Sequence, residues 1–259
     1  MKTAVIKLSG KAVDDFLTDA NWLEQLKIFK SQYDALIIVH GAGTMISEWA
    51  TKLGCKTEFL NGQRVTNLDM MEVVAAVQNG LINAKLVSHL QTKGINAAGF
   101  NGIDHGLFVA DYVNSELGYV GIPKAKENSD WLESTLQSGT LPVFSSICRD
   151  EIGNLMNVNA DLFTISIAEI VKADSVIFLS DIEGVKIYGK TRDEIDESDI
   201  TSGISNGDIT DGMIPKLQSA VNLLKQGINK VWIGNNLENV NSTKNKKGTW
   251  VVNNSKLSA

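Results

Sequence analysis

Short apolar runs alternate along the chain with stretches in which apolar residues recur at helical spacing. The runs at 4–8 and 35–39 are rich in β-branched residues, and each stops at a glycine turn, Ser9-Gly10 and His40-Gly41-Ala42-Gly43. Runs without polar alternation predict strands covered on both faces. Between them the period changes. Residues 44–53 predict one helix. Residues 69–90 predict a longer one, with Met70, Val73, Val74, Val77, Leu81 and Ile82 on one face. Further strands are expected at 95–100, 107–113, 141–145, 175–180, 230–234 and 249–252. Further helices are expected at 161–171 and around Met213, Leu217, Ala220, Val221 and Leu224. Strand alternating with helix predicts an α/β fold, an open, mainly parallel sheet with helices on both faces. The polar, acidic stretch 188–208 reads as a surface excursion, and 241–248 as an exposed loop.

Composition narrows the classes. At 259 residues the chain fits one large domain or two closely packed halves. With 43% hydrophobic and 21% charged residues it is an ordinary globular sequence, which excludes disorder, collagen and coiled coil. A net charge of −6 leaves no basic excess for general nucleic-acid binding. No apolar run approaches the roughly 18 residues of a membrane-spanning helix. The opening, with Lys7 inside its apolar run, makes a poor signal peptide, so a cytoplasmic protein is expected. Cys55 and Cys148 lie far apart with no metal-binding spacing, which predicts two buried, reduced thiols.

In open α/β sheets ligands bind beyond the carboxyl ends of the strands, so the residues just after the apolar runs carry the chemical interest. Lys7 ends a buried strand; its charge needs a phosphate, a carboxylate or a route to solvent. The loop His40-Gly41-Ala42-Gly43 opens a helix, where backbone N–H groups can approach an anion, although a tight turn needs the same glycines. That loop is not the phosphate-loop pattern G-x-x-x-x-G-K-[ST]. Arg64, in NGQRVT, is either a planar fork for a carboxylate or an ordinary surface arginine. Asn157 and Asn159 fall on the same side of an extended segment, and Asp161 starts a helix, where it could be an ordinary N-cap. Leu179–Val185 is a strand end with a turn. In 210–216, Asp211 could cap a helix, while Lys216 sits against the helix dipole and invites an anionic partner.

These segments, IKLSG at 6–10, VHGAG at 39–43, NGQRVT at 61–66, LMNVNAD at 155–161, LSDIEGV at 179–185 and DGMIPK at 211–216, resemble the amino acid kinase family in order and spacing. Within it they resemble the short bacterial acetylglutamate kinase branch. The resemblance implies a three-layer αβα domain over 1–259. A lobe at about 1–150 would bind acyl-glutamate and dimerise, and a lobe at about 151–259 would bind ATP. It implies ATP-dependent phosphorylation of the γ-carboxylate of N-acetyl-L-glutamate, the second step of arginine biosynthesis. Lys7 and Lys216 match lysines that neutralise the transferring phosphoryl group, and Asp161 matches the aspartate that holds them. Ala42, Gly43, Arg64 and Asn157 match the substrate-binding positions. Gly10, Gly41, Ser180, Asp181, Gly184, Val185, Ile209, Thr210, Asp211 and Gly212 match the nucleotide-binding positions. Magnesium would arrive with the nucleotide, with no metal site of the protein's own. An arginine-insensitive homodimer is expected, without nucleic-acid or membrane partners. The physics agrees: both reactants are anions, and a carboxylate ionised at pH 7 needs no general base. Ser9 stands where a second glycine is usual and Ala42 interrupts a glycine triplet. N-succinyl-L-glutamate is thus an alternative substrate, and a sister kinase acting on another anion is the nearest rival reading.

Overall fold

A computed structural model describes residues 1–126, 129–210, 212–241 and 247–253. Its centre is an eight-stranded sheet. From one edge to the other the strands are Glu194–Ile195, Thr249–Val252, Lys230–Gly234, Ser175–Leu179, Thr3–Leu8, Ala35–His40, Leu141–Ser145 and Ala97–Asn101. Each pairing is parallel except that of Lys230–Gly234 with Thr249–Val252. The first strand lies between Ala35–His40 on one side and Ser175–Leu179 on the other. The N-terminal half of the chain therefore builds outward in one direction and the C-terminal half in the other. The order reverses beside Thr3–Leu8, which makes the carboxyl end of that strand the switch point where α/β sheets bind ligands.

Burial on both faces follows from the apolar runs: Thr3–Leu8 and Ala35–His40 are buried throughout. Alternation assigns Ala4, Ile6, Leu8 and Ile38 to one core, beneath helices Gly10–Thr18, Ala20–Lys30, Gly43–Lys52 and the long 68–91 run. Val5, Ile37 and Val39 face the other core, shared with helices Asp130–Gln137, Ala160–Ile170 and Ile214–Lys225. Lys7 has the parity of Val5, which turns it toward the helix carrying Asp161.

Most predicted elements fall where the pattern puts them, with four corrections. The 69–90 helix is a continuous helical run, but its middle, Ala75–Ile82, is a π-helix between Leu68–Val74 and Asn83–Gln91. The expected 107–113 strand exists as Phe108–Tyr112, yet it belongs to a separate four-stranded sheet with Val120–Ala125, Leu155–Val158 and Ile147–Arg149. That sheet is mostly short strands with mixed polarity, so its alternation is too brief to read. The acidic stretch is more than an excursion. It holds the outermost strand Glu194–Ile195 and helix Glu197–Ser205, whose start is fixed by reciprocal Asp196–Asp199 capping bonds. Only a few of its apolar side chains, such as Ile195 and Ile200, are buried, which is why composition hid it. Finally, Cys148 is buried but Cys55 is half-exposed; both are free thiols. Part of the expected 241–248 loop, residues 242–246, lies outside the described residues. Among the described residues no helix is long and apolar enough to cross a membrane.

Candidate active site

The first strand ends in Lys7, which is buried, and its ammonium lies 2.7 Å from Asp161 Oδ1. The contact is an ion pair by distance, set off the hydrogen-bond direction. Asp161 is not the N-cap of its helix. Asn159 takes that role, its Oδ1 accepting the Asp161 N–H at 2.7 Å. The Asp161 carboxylate is thereby released to face Lys7 from the first turn, where the helix dipole favours a negative charge.

Lys216 joins this pair from the other end of the chain. It occupies the first turn of Ile214–Lys225, whose N-cap Met213 makes no side-chain cap bond; Pro215 is tolerated there because those N–H groups have no helical partner. Partial burial lowers the Lys216 pKa. The Lys7 charge lowers it further, and Asp161 and Asp181 act in the opposite sense. Two ammonium groups and two carboxylates thus share one electrostatic neighbourhood beside the switch point. Two like charges held together out of bulk water are costly unless an anion joins them.

The glycine loops meet at the same place. A Cβ built on Gly10 would lie 3.9 Å from the Gly43 N–H nitrogen, while one on Gly43 would meet nothing within 4 Å. The space beside Gly43 is open to a ligand. Ser9, in place of a glycine, caps its helix by accepting the Ala12 N–H at 3.3 Å. Ala42 has φ −152°, where a Cβ is unstrained, and its side chain is buried at the N-cap of Gly43–Lys52.

A cavity of about 180 Å³ opens beside this loop, walled by Ala42, Gly43, Arg64, Gln78, Asn157 and Asn159 among others. Arg64 is buried, contrary to the surface alternative, and burial lowers its pKa. Its Nη2 donates to Gly43 O and to Ser47 Oγ, both at 2.8 Å. The Phe59 ring lies 4.8 Å from the guanidinium carbon. Nη1 is buried and has no hydrogen-bond partner among the described residues. A buried guanidinium edge left unpaired beside a cavity calls for a carboxylate. Asn157 donates to Thr66 Oγ1 at 3.1 Å, which fixes its amide on the cavity wall.

On the C-terminal side of the switch point a second cavity, about 460 Å³, is lined by Asp181, Gly184, Val185, Ile209, Thr210 and Met213 with their neighbours. Gly184 has φ +124°, and a Cβ there would lie 2.7 Å from Thr191 and 2.9 Å from Thr249 Oγ1, so this turn requires glycine. Thr249 Oγ1 accepts the Val185 N–H at 2.8 Å. Ser180 is buried and Gly212 is exposed; neither lines this cavity. Asp211 lies outside the described residues.

Two residues of the site, Ser47 and Gln78, are not singled out in the sequence, and His40 enters there only as part of the glycine loop. Ser47 braces Arg64. His40, fully buried, has its pKa lowered to about 4 by burial and so stays neutral near pH 7. Its Nε2 accepts from Asn83 Nδ2 at 3.1 Å, which places the ring proton on Nδ1, 3.3 Å from Gly41 O. Gln78 lies under the same loop, donating to His40 O at 3.1 Å and to Ser146 Oγ at 2.9 Å. The signal for Gln78 and Asn83 is a set of amides inside a helix otherwise rich in apolar residues.

Residues 2–235 match the model of the amino acid kinase family. The chain belongs to the amino acid kinase family. Among amino acid kinases it is similar to the acetylglutamate kinase of Bacillus pumilus, 34% identical over 252 residues, covering 97% of this chain and 96% of the relative. The acetylglutamate kinase of Ruegeria pomeroyi is also 34% identical, over 88% of this chain and 80% of its own length. Among solved structures, smu.665 from Streptococcus mutans superposes with a TM-score of 0.83 at 28% identity, covering 96% of this chain and 98% of that one. Carbamate kinase from Giardia lamblia, at 17% identity and TM-score 0.65 over 97% and 98% of the two chains, shares the family fold.

Proposed function

We propose that this amino acid kinase transfers the γ-phosphoryl group of ATP to the γ-carboxylate of N-acetyl-L-glutamate, giving the acyl phosphate and ADP. The observation that carries the reading is Arg64: a buried guanidinium with a free edge, on the wall of a cavity that also holds the glycine loop. Arg64 and Asn157 bind the substrate's α-carboxylate. The backbone at Ala42 and Gly43 receives its γ-carboxylate. Adenine and ribose occupy the cavity between Asp181 and Met213, with Gly10 and Gly41 under the phosphates.

The chemistry then needs little beyond placement and charge. A γ-carboxylate oxygen forms a bond to the γ-phosphorus while the bridging P–O bond to the β-phosphate breaks, its electron pair leaving with ADP. No proton moves. Lys7 and Lys216 neutralise the charge gathered on the transferring group, and Asp161 holds Lys7 in place. Magnesium, bound through phosphate oxygens, would screen the nucleotide's negative charge. The lobe up to about 150 supplies most of the acyl-glutamate site and the lobe beyond it the adenosine site, with Asn157 reaching across to the first ligand and Gly10 and Gly41 to the phosphates of the second. The edge strand Ala97–Asn101, which pairs on one side with Leu141–Ser145, offers its free side to a second copy in a homodimer. The cytoplasm, where ATP is available, is the proposed compartment.

ADP release with N-acetyl-L-glutamate, N-succinyl-L-glutamate, L-glutamate, L-aspartate and carbamate tests this reading. Turnover confined to N-acylated glutamate is expected, with the acetyl compound preferred. Preference for free glutamate or carbamate would reject it.

A further inference from the structure

The floor of the Arg64 cavity holds an acceptor that the transfer chemistry does not use. Gln78 is 2% exposed and forms part of the cavity wall. Both N–H bonds of its amide are spent, one on His40 O at 3.1 Å and one on Ser146 Oγ at 2.9 Å. The orientation of the amide is fixed by chemistry, because a backbone carbonyl can only accept. Ser146 Oγ in turn donates to Val158 O at 2.8 Å, so its single proton is also committed. Oε1 of Gln78 accepts no hydrogen bond among the described residues. A buried carboxamide with its donors tied back and its oxygen left over is a preset acceptor. The π-helical turn from Ala75 to Ile82 helps to place it. Asn79, next in sequence, also reaches the sheet's end, where its Oδ1 accepts from Ser145 Oγ at 2.9 Å.

We propose that Gln78 is a specificity-determining residue whose Oε1 accepts the amide N–H of the N-acylated substrate. The inference rests on the acyl-glutamate reading. Of the groups carried by an N-acyl glutamate at neutral pH, both carboxylates and the acyl carbonyl only accept, so the amide N–H is the one donor that matches. With the α-carboxylate on Arg64 and the side chain directed at the glycine loop, the nitrogen is the third substituent of the same carbon. It is the group left to meet the floor.

The test compares N-acetyl-L-glutamate with its ester analogue, 2-acetoxyglutarate, in which oxygen replaces the N–H. For the intact chain, kcat/KM for the ester is expected to be lower by about tenfold or more, the scale of one hydrogen bond with its unpaired acceptor. In Gln78→Leu the two substrates should come within about twofold of each other, while the KM for ATP stays unchanged. A general structural defect would lower both substrates together and leave their ratio intact. Should Gln78→Leu not fold, Gln78→Met serves, and the comparison with the unsubstituted chain still decides. Equal use of amide and ester by that chain, or an unchanged ratio in a folded variant, would overturn the proposal. Failure to phosphorylate N-acetyl-L-glutamate at all would instead overturn the reading beneath it.

Discussion

Lys7 and Asp161, on the central strand and on the helix that packs behind it, are held as an ion pair at 2.7 Å, with the Asp161 side chain about a quarter exposed. Parity along the strand turns Lys7 to the helix side. Capping by Asn159 leaves the Asp161 carboxylate available to it. The pair therefore comes from local rules at two distant places in the sequence, and the switch point of the sheet brings them together.

Replacing Asp161 by Asn should leave a largely buried ammonium without its counter-charge. We expect kcat to fall by roughly 10²-fold, with KM for both substrates changing less, because Asp161 orients a group that works in the transition state. Steady-state kinetics with both substrates varied reads this split. Loss confined to KM would assign Asp161 to ground-state binding.

Lys216→Ala should lower kcat by about 10²-fold or more, the scale for one transition-state charge partner. The pH profile offers a second check. Burial and the Lys7 charge lower the pKa of Lys216, so without bound anion it gives up its proton at lower pH than an ordinary lysine. The alkaline fall in kcat/KM is expected below the usual lysine range, and Lys216→Arg should remove it. A fall unchanged in the arginine variant would point to another group.

Arg64→Ala should weaken acyl-glutamate binding and spare ATP, because the guanidinium lines the first cavity and not the second. Separate calorimetric titrations of each ligand check this. A loss of roughly 10- to 100-fold in acyl-glutamate affinity corresponds to one charge-assisted bond pair. Lost ATP binding would contradict the division of the site.

His40 makes stability depend on pH. Its folded pKa is lowered to about 4 from an ordinary 6.5 by burial. The unfolded chain therefore takes up a proton at pH values where the folded chain does not, and stability is lost as pH falls through 6.5 toward 4. By pH 5 this contribution is about 2 kcal/mol. Urea midpoints measured from pH 7.5 to 5 should fall more steeply for the unsubstituted chain than for His40→Gln. Parallel slopes would place the proton elsewhere.

The parallel core of the fold was legible because fully buried strands write themselves as apolar runs, as at Val5, Ile37 and Val176. Of the small sheet around Val120–Ala125 only the strand Phe108–Tyr112 was, since three-to-six-residue strands with one polar face resemble loops. Lys7 and Lys216 stand out as charges at a strand end or against a helix dipole, and Arg64 as a planar fork within the NGQRVT segment. Ser47 does not, because a hydroxyl within a helix carries no pattern until the backbone brings Arg64 beside it, and Gln78 shows only as an amide in an apolar helical stretch, with its partner His40 far away in sequence. Asn159, by contrast, was read as one of a matched pair of asparagines and works instead as a helix cap.

A crystal structure with a non-hydrolysable ATP analogue and N-acetyl-L-glutamate bound would bear most directly on the mechanism. The terminal phosphate is expected between the Lys7 and Lys216 ammonium groups, with the γ-carboxylate facing it from the Gly43 loop. A terminal phosphate touching neither lysine, or the two lysines in separate crevices with both ligands present, would contradict it.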